Sequence, residues 1–151
     1  MNVYRIAKTR YLHDLSGSGA RIFGGRWNHK GTSVIYTSEN RALATVEHLV
    51  HAPLSIMPAS LGLTTLHIPD DILPQEISIF DLPKNWRGYP APTRLADYGT
   101  LWAKQSEALL LRVPSAVVEH EYNVLINPLH PDMKSVSIVR AEKYAIDKRL
   151  L

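Results

Sequence analysis

The sequence predicts an α+β fold, with a mixed β-sheet core and flanking helices. Short β-prone segments dominate, and the helical segments between them come at irregular intervals. This pattern differs from the strict alternation of a βαβ series. The chain has 151 residues, of which 45% are hydrophobic and 21% are charged, as in ordinary soluble globular proteins. We therefore expect residues 1–151 to form one domain with its own core.

Composition narrows the class of protein further. The chain has no cysteine, which excludes disulfides and thiolate chemistry. No apolar run approaches the roughly 20 residues of a membrane-spanning helix, and the N-terminus lacks the apolar stretch of a signal peptide. We expect a cytoplasmic protein without membrane contact. The net charge is +3, but the basic residues are scattered rather than clustered, so direct nucleic-acid binding is not expected.

The first third of the chain is predicted to hold two strands and one helix. Strands are expected over residues 3–6 and 33–37, separated by a glycine-rich loop over residues 9–25. Ser38 is a good N-cap for a helix that continues to about His51 and stops before a proline.

Glu47 occupies a border position on this predicted helix. A helical wheel places the carboxylate at the shoulder of the apolar stripe, where it is neither fully solvated nor fully buried. A residue in that position can line a pocket wall, although Glu47 considered alone is more typical of a solvent-facing helix residue. The stripe itself is predicted to comprise Ala42, Leu43, Val46, Leu49 and Val50.

The rest of the chain is predicted to supply a second helix and the remaining strands. The helix is expected to begin with Thr93 as its cap and to end near residue 104. A proline-rich loop precedes it over residues 82–92. The strands are expected over residues 61–68, 77–80, 108–113, 122–127 and 136–140, and the tail is expected to form a short helix.

Residues 24–28, Gly-Gly-Arg-Trp-Asn, carry the first candidate for ligand binding. Gly24 and Gly25 allow a ligand to approach the backbone closely, and the Arg26 guanidinium offers a fork of donors to a phosphate or carboxylate. The same residues are equally consistent with a tight turn that carries a surface arginine.

Other candidate residues also have purely structural alternatives. Tyr36, on a predicted strand, is consistent with a core residue. His48 and His51 have helical spacing but no third ligand at a recognisable distance in the sequence, so no metal site is expected. Ser115 follows a strand, and no histidine or aspartate is placed by the sequence to activate it as a nucleophile.

Taken together, these segments resemble the RES-domain toxins of bacterial toxin–antitoxin pairs. The resemblance rests on Gly-Gly-Arg-Trp-Asn at 24–28, Val-Ile-Tyr-Thr-Ser at 34–38 and the helix that carries Glu47. It extends to Tyr-Arg-Ile at 4–6, Pro-Ser-Ala-Val at 114–117 and Asn-Val-Leu-Ile-Asn-Pro-Leu-His-Pro at 123–131. These segments cover most of the chain in the family's order.

The resemblance implies a fold similar to ADP-ribosyltransferases of the diphtheria-toxin type, with NAD as a consumed substrate and neither a cofactor nor a metal. It implies that the family's arginine, tyrosine, glutamate and serine are Arg26, Tyr36, Glu47 and Ser115, with Ser38 and Ser106 as alternatives for the serine. Substrate contacts are expected from Gly25, Arg26, Tyr36, Ser38 and Asn127.

Breaking the nicotinamide–ribose bond develops positive charge on the sugar, which Glu47 would stabilise. Arg26 would hold the phosphates, and Tyr36 would stack on nicotinamide. Ser115 and Asn127 would donate or accept hydrogen bonds at the ribose or at the carboxamide of nicotinamide. Hydrolysis, phosphorolysis and transfer of ADP-ribose to a protein remain open.

The resemblance also implies a cognate Xre-type helix-turn-helix antitoxin, which would block the pocket in a hetero-oligomeric complex. A non-enzymatic module that uses Arg26 to bind an anion is the alternative from a different class.

Overall fold

A computed structural model describes residues 1–52 and 60–150. Its central feature is a seven-stranded sheet in the order β4-β5-β6-β2-β1-β3-β7. Every pairing is antiparallel except that of β4 with β5, so the sheet is mixed, as predicted. The strands are β1 (Asn2–Lys8), β2 (Ile35–Ser38), β3 (Leu61–His67), β4 (Gln75–Glu76), β5 (Leu110–Pro114), β6 (Tyr122–Ile126) and β7 (Ser137–Lys143).

In the described residues, three α-helices complete the α+β fold: α1 (Ser18–Phe23), α2 (Arg41–His51) and α3 (Thr93–Gln105). The prediction of an α+β class is therefore confirmed. Helix α2 ends at His51, with Ala52 as its C-cap, so the predicted end of this helix is confirmed. Across the two described ranges, no helix has the length and apolarity needed to cross a membrane.

Two apolar clusters bury the sheet. Neighbouring side chains of β2 belong to different clusters. Tyr36 packs against the cluster that contains Trp27, Trp86 and Trp102, and Ile35 lies in the second cluster. This is the two-sided pattern expected of a strand whose side chains alternate between faces. The tryptophan cluster contacts the segments that carry the candidate site.

Strands β1 and β2 pair at a single position, Tyr4 with Ser38. Beyond it they diverge, and a recess of about 220 Å³ lies between them and the start of α1. Tyr36 lines this recess from β2, and Arg5 lines it from β1. The divergence of the two strands therefore brings one candidate residue to an opening in the sheet.

The predicted start and buried face of α2 were wrong in detail. Asn40, not Ser38, is the N-cap, and its side chain accepts from the backbone N–H of Leu43 at 2.8 Å. Ser38 still belongs to β2 and uses its hydroxyl elsewhere. Ala42 and Val50 are exposed, whereas the buried residues of the helix are Leu43, Ala44 and Thr45.

Thr45 can be buried because its hydroxyl is bonded to the Arg41 carbonyl at 2.9 Å and to the Tyr144 hydroxyl at 2.7 Å. These bonds satisfy the polar group within the protein, and a buried hydroxyl without them would be costly. A wheel that ranks residues by hydrophobicity misses such a position.

Three other predicted elements also differ. Residues 77–80 do not form a strand, because the Ser78 hydroxyl accepts from the N–H of Phe80 and starts a 3₁₀ turn over Ile79–Asp81. The predicted loop over residues 9–25 contains α1. Helix α3 has Pro92 rather than Thr93 as its N-cap.

Candidate functional site

The turn at residues 24–28 is fixed by backbone bonds and by a buried asparagine. Gly25 and Asn28 exchange backbone hydrogen bonds, with N···O distances of 3.0 and 3.4 Å. The Asn28 side-chain amide donates to the carbonyls of Ala20, His29 and Thr32 at 2.9–3.2 Å. Asn28 therefore joins α1 to this turn and gives the following residues a rigid base.

Tyr36 is tied to the same turn through its hydroxyl. The oxygen accepts from the Trp27 N–H at 3.1 Å and donates to Asn28 Oδ1 at 2.6 Å. Burial raises the pKa of Tyr36 well above its ordinary value, so the hydroxyl stays protonated. Because these bonds engage the hydroxyl, the ring is the part of Tyr36 that remains available to a ligand.

Gly25 is required by this arrangement. A Cβ added at this position would lie 2.7 Å from the Tyr36 hydroxyl oxygen and 3.0 Å from Asn28 Oδ1. Any larger residue would therefore displace the tyrosine. Gly25 thus serves the packing of the site in addition to the close approach of a ligand.

Replacing Tyr36 with phenylalanine is expected to destabilise the protein by about 1–3 kcal/mol, since Asn28 Oδ1 and the Trp27 N–H would be left without their partner. Urea unfolding followed by tryptophan fluorescence measures this change. Tyr11→Phe, which removes a hydroxyl from a 43% exposed tyrosine, is the matched control and should be close to neutral. Equal stability of the two variants would contradict the assigned bonds.

Arg26 extends from the turn to a loop far along the chain. Its Nη1 donates to the Trp86 carbonyl at 2.7 Å, and its Nη2 donates to the Gly88 carbonyl at 3.1 Å. Burial lowers the pKa of the Arg26 guanidinium, while the neighbouring Glu47, Tyr36 and Tyr89 oppose that shift. Arg26, Tyr36 and Glu47 are therefore close enough to interact electrostatically.

A second recess, of about 260 Å³, lies beside Arg26 between the turn and the start of α3. Its lining includes Gly25, Lys30 and Thr93, but not Glu47. Because ligand pockets commonly have about 300–1,000 Å³, this recess has room for part of a dinucleotide only.

Glu47 accepts two hydrogen bonds through a single oxygen. Ser115 Oγ donates to Oε1 at 2.8 Å, and Asn123 Nδ2 donates to the same atom at 2.7 Å. His51 Nε2 lies 3.7 Å from the other oxygen, Oε2. That distance suits an ion pair with a protonated imidazole but is too long for a hydrogen bond.

The environment of Glu47 keeps it ionised at neutral pH. Burial acts to raise the pKa of Glu47, but His51, Asn123 and Ser115 together outweigh burial, so the pKa lies below its ordinary value. The side chain is 19% exposed, as its border position on the helical wheel predicts. The charge is therefore held in a partly buried place that a ligand can reach.

Ser115 is oriented by the backbone that follows it. Its Oγ accepts from the N–H groups of Val117 and Val118 at 3.1 and 3.0 Å, so its own proton points to Glu47. With its lone pairs engaged in this way, Ser115 is placed to hold the carboxylate and not to attack a substrate. Of the three candidate serines, it is the one that contacts Glu47.

Ser38 and Asn127 are both buried and hydrogen-bonded within the protein. Ser38 is buried and donates to Asn123 Oδ1 at 2.7 Å. Asn127 follows the opposite end of β6, where its amide donates to the Ala103 carbonyl at 3.1 Å and its Oδ1 accepts from the Leu129 N–H. The buried side chain of Asn127 thus anchors the end of α3, and its contact with a ligand stays a prediction.

Sequence reasoning missed Asn123 and the loop that holds Arg26. An asparagine inside the otherwise apolar strand Tyr-Asn-Val-Leu-Ile was the available signal for the first. The loop gave no signal, because it contributes backbone carbonyls. In residues 1–52 and 60–150, no group of three or more histidine, aspartate or glutamate side chains is arranged to hold a metal ion.

Comparisons with known proteins agree on one family. The RES domain model matches residues 2–147. A protein of Yersinia enterocolitica named Toxin Res is 40% identical over 156 residues, covering 99% of each chain. The Prs ADP-ribosylating toxin of a Sphingobium species is 38% identical over 147 residues, covering 96% of this chain and 91% of its own.

A solved structure has a similar fold. The MbcT–MbcA toxin–antitoxin complex of M. tuberculosis contains a chain that superposes with a TM-score of 0.74 and 18% identity. The match covers 95% of the chain described above and 84% of the other. At this identity the likeness concerns the fold.

Proposed function

Since the chain belongs to the RES-domain family, we propose that it is the toxin of a toxin–antitoxin pair and that it consumes NAD by cleaving the nicotinamide–ribose bond. The observation that carries this proposal is the ionised, partly exposed Glu47, which Ser115 and Asn123 hold by hydrogen bonds and which, like Tyr36, acts electrostatically on the pKa of Arg26. These residue types suit this cleavage, and they come from α2, β6, β2, the glycine turn and the position directly after β5.

The chemistry depends on a fixed negative charge. As nicotinamide leaves, the ribose gains oxocarbenium character, and a carboxylate already oriented by hydrogen bonds stabilises it without reorganisation. Glu47 has this orientation through Oε1, while Oε2 faces His51. In our proposal the sugar lies against the carboxylate, and Glu47 also orients the incoming water or phosphate.

Arg26 and Tyr36 have the complementary tasks. The guanidinium has more N–H donors than its two carbonyl bonds use, so the remaining donors can hold a phosphate of the dinucleotide. The Tyr36 ring would pack against nicotinamide and keep the leaving group in place. Gly25 keeps that ring in position through its close contact with the hydroxyl.

A test follows with purified protein and NAD alone. We expect NAD to fall and free nicotinamide to appear, as measured by liquid chromatography. A faster reaction with added phosphate, yielding a phosphorylated ADP-ribose, would assign phosphorolysis. An unchanged rate with phosphate, and ADP-ribose as product, would assign hydrolysis. Unchanged NAD under both conditions, with a folded protein, would refute this activity.

Transfer of ADP-ribose to a protein is the second candidate function. It is favoured by the relative that carries the name ADP-ribosylating toxin, which matches nearly the whole chain. The bond broken is the same, and the acceptor differs. Incubation with labelled NAD and a cell lysate distinguishes the two, because transfer gives a labelled protein band that heat-inactivated enzyme does not give.

We further propose that an antitoxin of the Xre helix-turn-helix type covers this site in a hetero-oligomeric complex. The fold neighbour was solved as a toxin–antitoxin complex, and the net charge of +3 suits an acidic partner segment. Co-expression with the neighbouring reading frame should yield a complex that no longer consumes NAD. A complex with undiminished activity would contradict coverage of the site.

A further inference from the structure

Asn123 contacts the reactive carboxylate with one end of its side chain and a buried serine with the other. Its Nδ2 is 2.7 Å from Glu47 Oε1, and its Oδ1 is 2.7 Å from Ser38 Oγ. The two ends of one amide therefore join a buried hydroxyl on β2 to the carboxylate on α2.

The orientation of the amide follows from its partners. An ionised carboxylate accepts hydrogen bonds and cannot donate them, so the NH₂ group of Asn123 must face Glu47. Its carbonyl oxygen then faces Ser38, whose hydroxyl supplies the proton. A reversed amide would place its oxygen against the carboxylate, which is repulsive. The carboxylate thus sets the orientation of the Asn123 amide, and the Ser38 hydroxyl holds its other end.

The backbone of Asn123 is held from both sides. In the sheet it pairs with Ser38 of β2 and with Val113 of β5. A side chain on a strand between two neighbours is located more sharply than one on a loop. Ser115, the other donor to Glu47, comes directly after β5. Both donors therefore come from the same rigid part of the sheet.

We propose that Asn123, held in place by Ser38, is a positioning residue that fixes the Glu47 carboxylate against the ribose. This role rests on the proposed NAD cleavage and adds to it the hydrogen bond that holds the carboxylate in position. Asn123 acts through Glu47 and need not touch the substrate. Near-attack geometry is sensitive to shifts of about 1 Å, which can cost 10²-fold in rate.

Three variants test this role. Asn123→Ala removes the donor and is expected to lower kcat roughly 10- to 100-fold with a smaller change in KM. Asn123→Asp keeps the shape but sets a second carboxylate beside Glu47, so at neutral pH it should be less active than Asn123→Ala. Ser38→Ala should give a smaller loss than either, because the amide still donates to Glu47 and loses only the hydrogen bond to its oxygen.

The order of the two Asn123 variants separates positioning from packing. If Asn123 only filled space, the near-isosteric aspartate would retain more activity than alanine. Asn2→Ala, at an exposed asparagine of β1, serves as the matched control and should retain full activity. Circular dichroism and thermal unfolding establish that each variant is folded.

The pH profile gives a second readout. Loss of a hydrogen bond to the charged form raises the pKa of a carboxyl group. In Asn123→Ala, activity should therefore be lost at a higher pH on acidification than in the unmodified protein. An unchanged acid limb, or full activity of Asn123→Asp, would overturn the proposal.

A carboxylate titration separates this proposal from the proposed function. Carbon-13 NMR of the Glu47 carboxyl group reports its pKa without turnover, and we expect a higher pKa in Asn123→Ala. If the unmodified protein fails to consume NAD, the proposed function fails and the titration still decides the contact. If NAD is consumed but the pKa of Glu47 and kcat are unchanged in Asn123→Ala, the positioning role is refuted and the proposed function stands.

Discussion

Glu47→Gln is expected to lower the rate of NAD cleavage roughly 10²- to 10³-fold, the scale of losing one transition-state electrostatic contact. The substitution is nearly isosteric, and a glutamine Oε1 can still accept from Ser115 and Asn123. The fold should therefore persist while the charge disappears. A neutral amide cannot stabilise the developing positive charge on the ribose, so kcat should carry the loss.

Initial rates of nicotinamide release, measured at saturating NAD, check this expectation. Glu107→Gln, at an exposed position between α3 and β5, is the matched control and should keep the full rate. In a host without antitoxin, Glu47→Gln should also relieve growth inhibition. Retention of more than about a tenth of the rate would argue against Glu47 as the charge that acts on the sugar.

The same variant distinguishes the enzyme from the alternative of an anion-binding module. In such a module Arg26 would bind the anion and Glu47 would be a bystander. Removing the negative charge would then leave anion affinity unchanged or raise it slightly. A toxic Glu47→Gln variant with undiminished anion binding is the outcome that favours the module.

The parts of this site that are local in sequence were predictable. Neighbouring residues of a strand, such as Tyr36 and Ile35 of β2, face opposite sides of the sheet, and the wheel of α2 placed Glu47 at the edge of the apolar stripe. Both patterns depend on backbone periodicity, which the sequence displays directly. Family resemblance then indicated which of these residues belong together.

The parts that depend on long-range pairing were not predictable. Ser115 contacts Glu47 across 68 positions of sequence, and Arg26 contacts the Trp86 carbonyl across 60. Ser38 and Asn40 are both good caps by residue type. Only the pairing of β2 with β6 shows that the Ser38 hydroxyl is used by Asn123, which leaves the cap to Asn40.

The close approach of α3 to the glycine turn explains the second large effect that we expect. A Cβ at Gly99 would lie 1.7 Å from the Trp27 carbonyl oxygen and 2.8 Å from its carbon. Both atoms belong to the backbone, so no side chain can move aside. Next to Gly99, the Thr100 hydroxyl accepts from the His29 N–H at 3.0 Å, which fixes the same segment to the helix.

Gly99→Ala is therefore expected to destabilise the protein by about 3 kcal/mol or more, at the upper end of overpacking effects. For a chain of this length, such a change lowers Tm by roughly 6–12 °C. Gly19→Ala in α1 is the matched control, because a Cβ there meets nothing within 4 Å. Since alanine favours helix more than glycine, that control should be neutral or slightly more stable.

Gly99→Ala should also lower activity, because it displaces α3 as well as destabilising the protein. Helix α3 can accept a methyl group at Gly99 only by moving away from Trp27, and Arg26 precedes Trp27 in the chain. At temperatures where Gly99→Ala remains folded, the guanidinium should therefore hold NAD less well and KM should rise. Thermal unfolding and NAD kinetics measured on the same preparation check both effects, and an unchanged Tm would contradict the close contact between α3 and the turn.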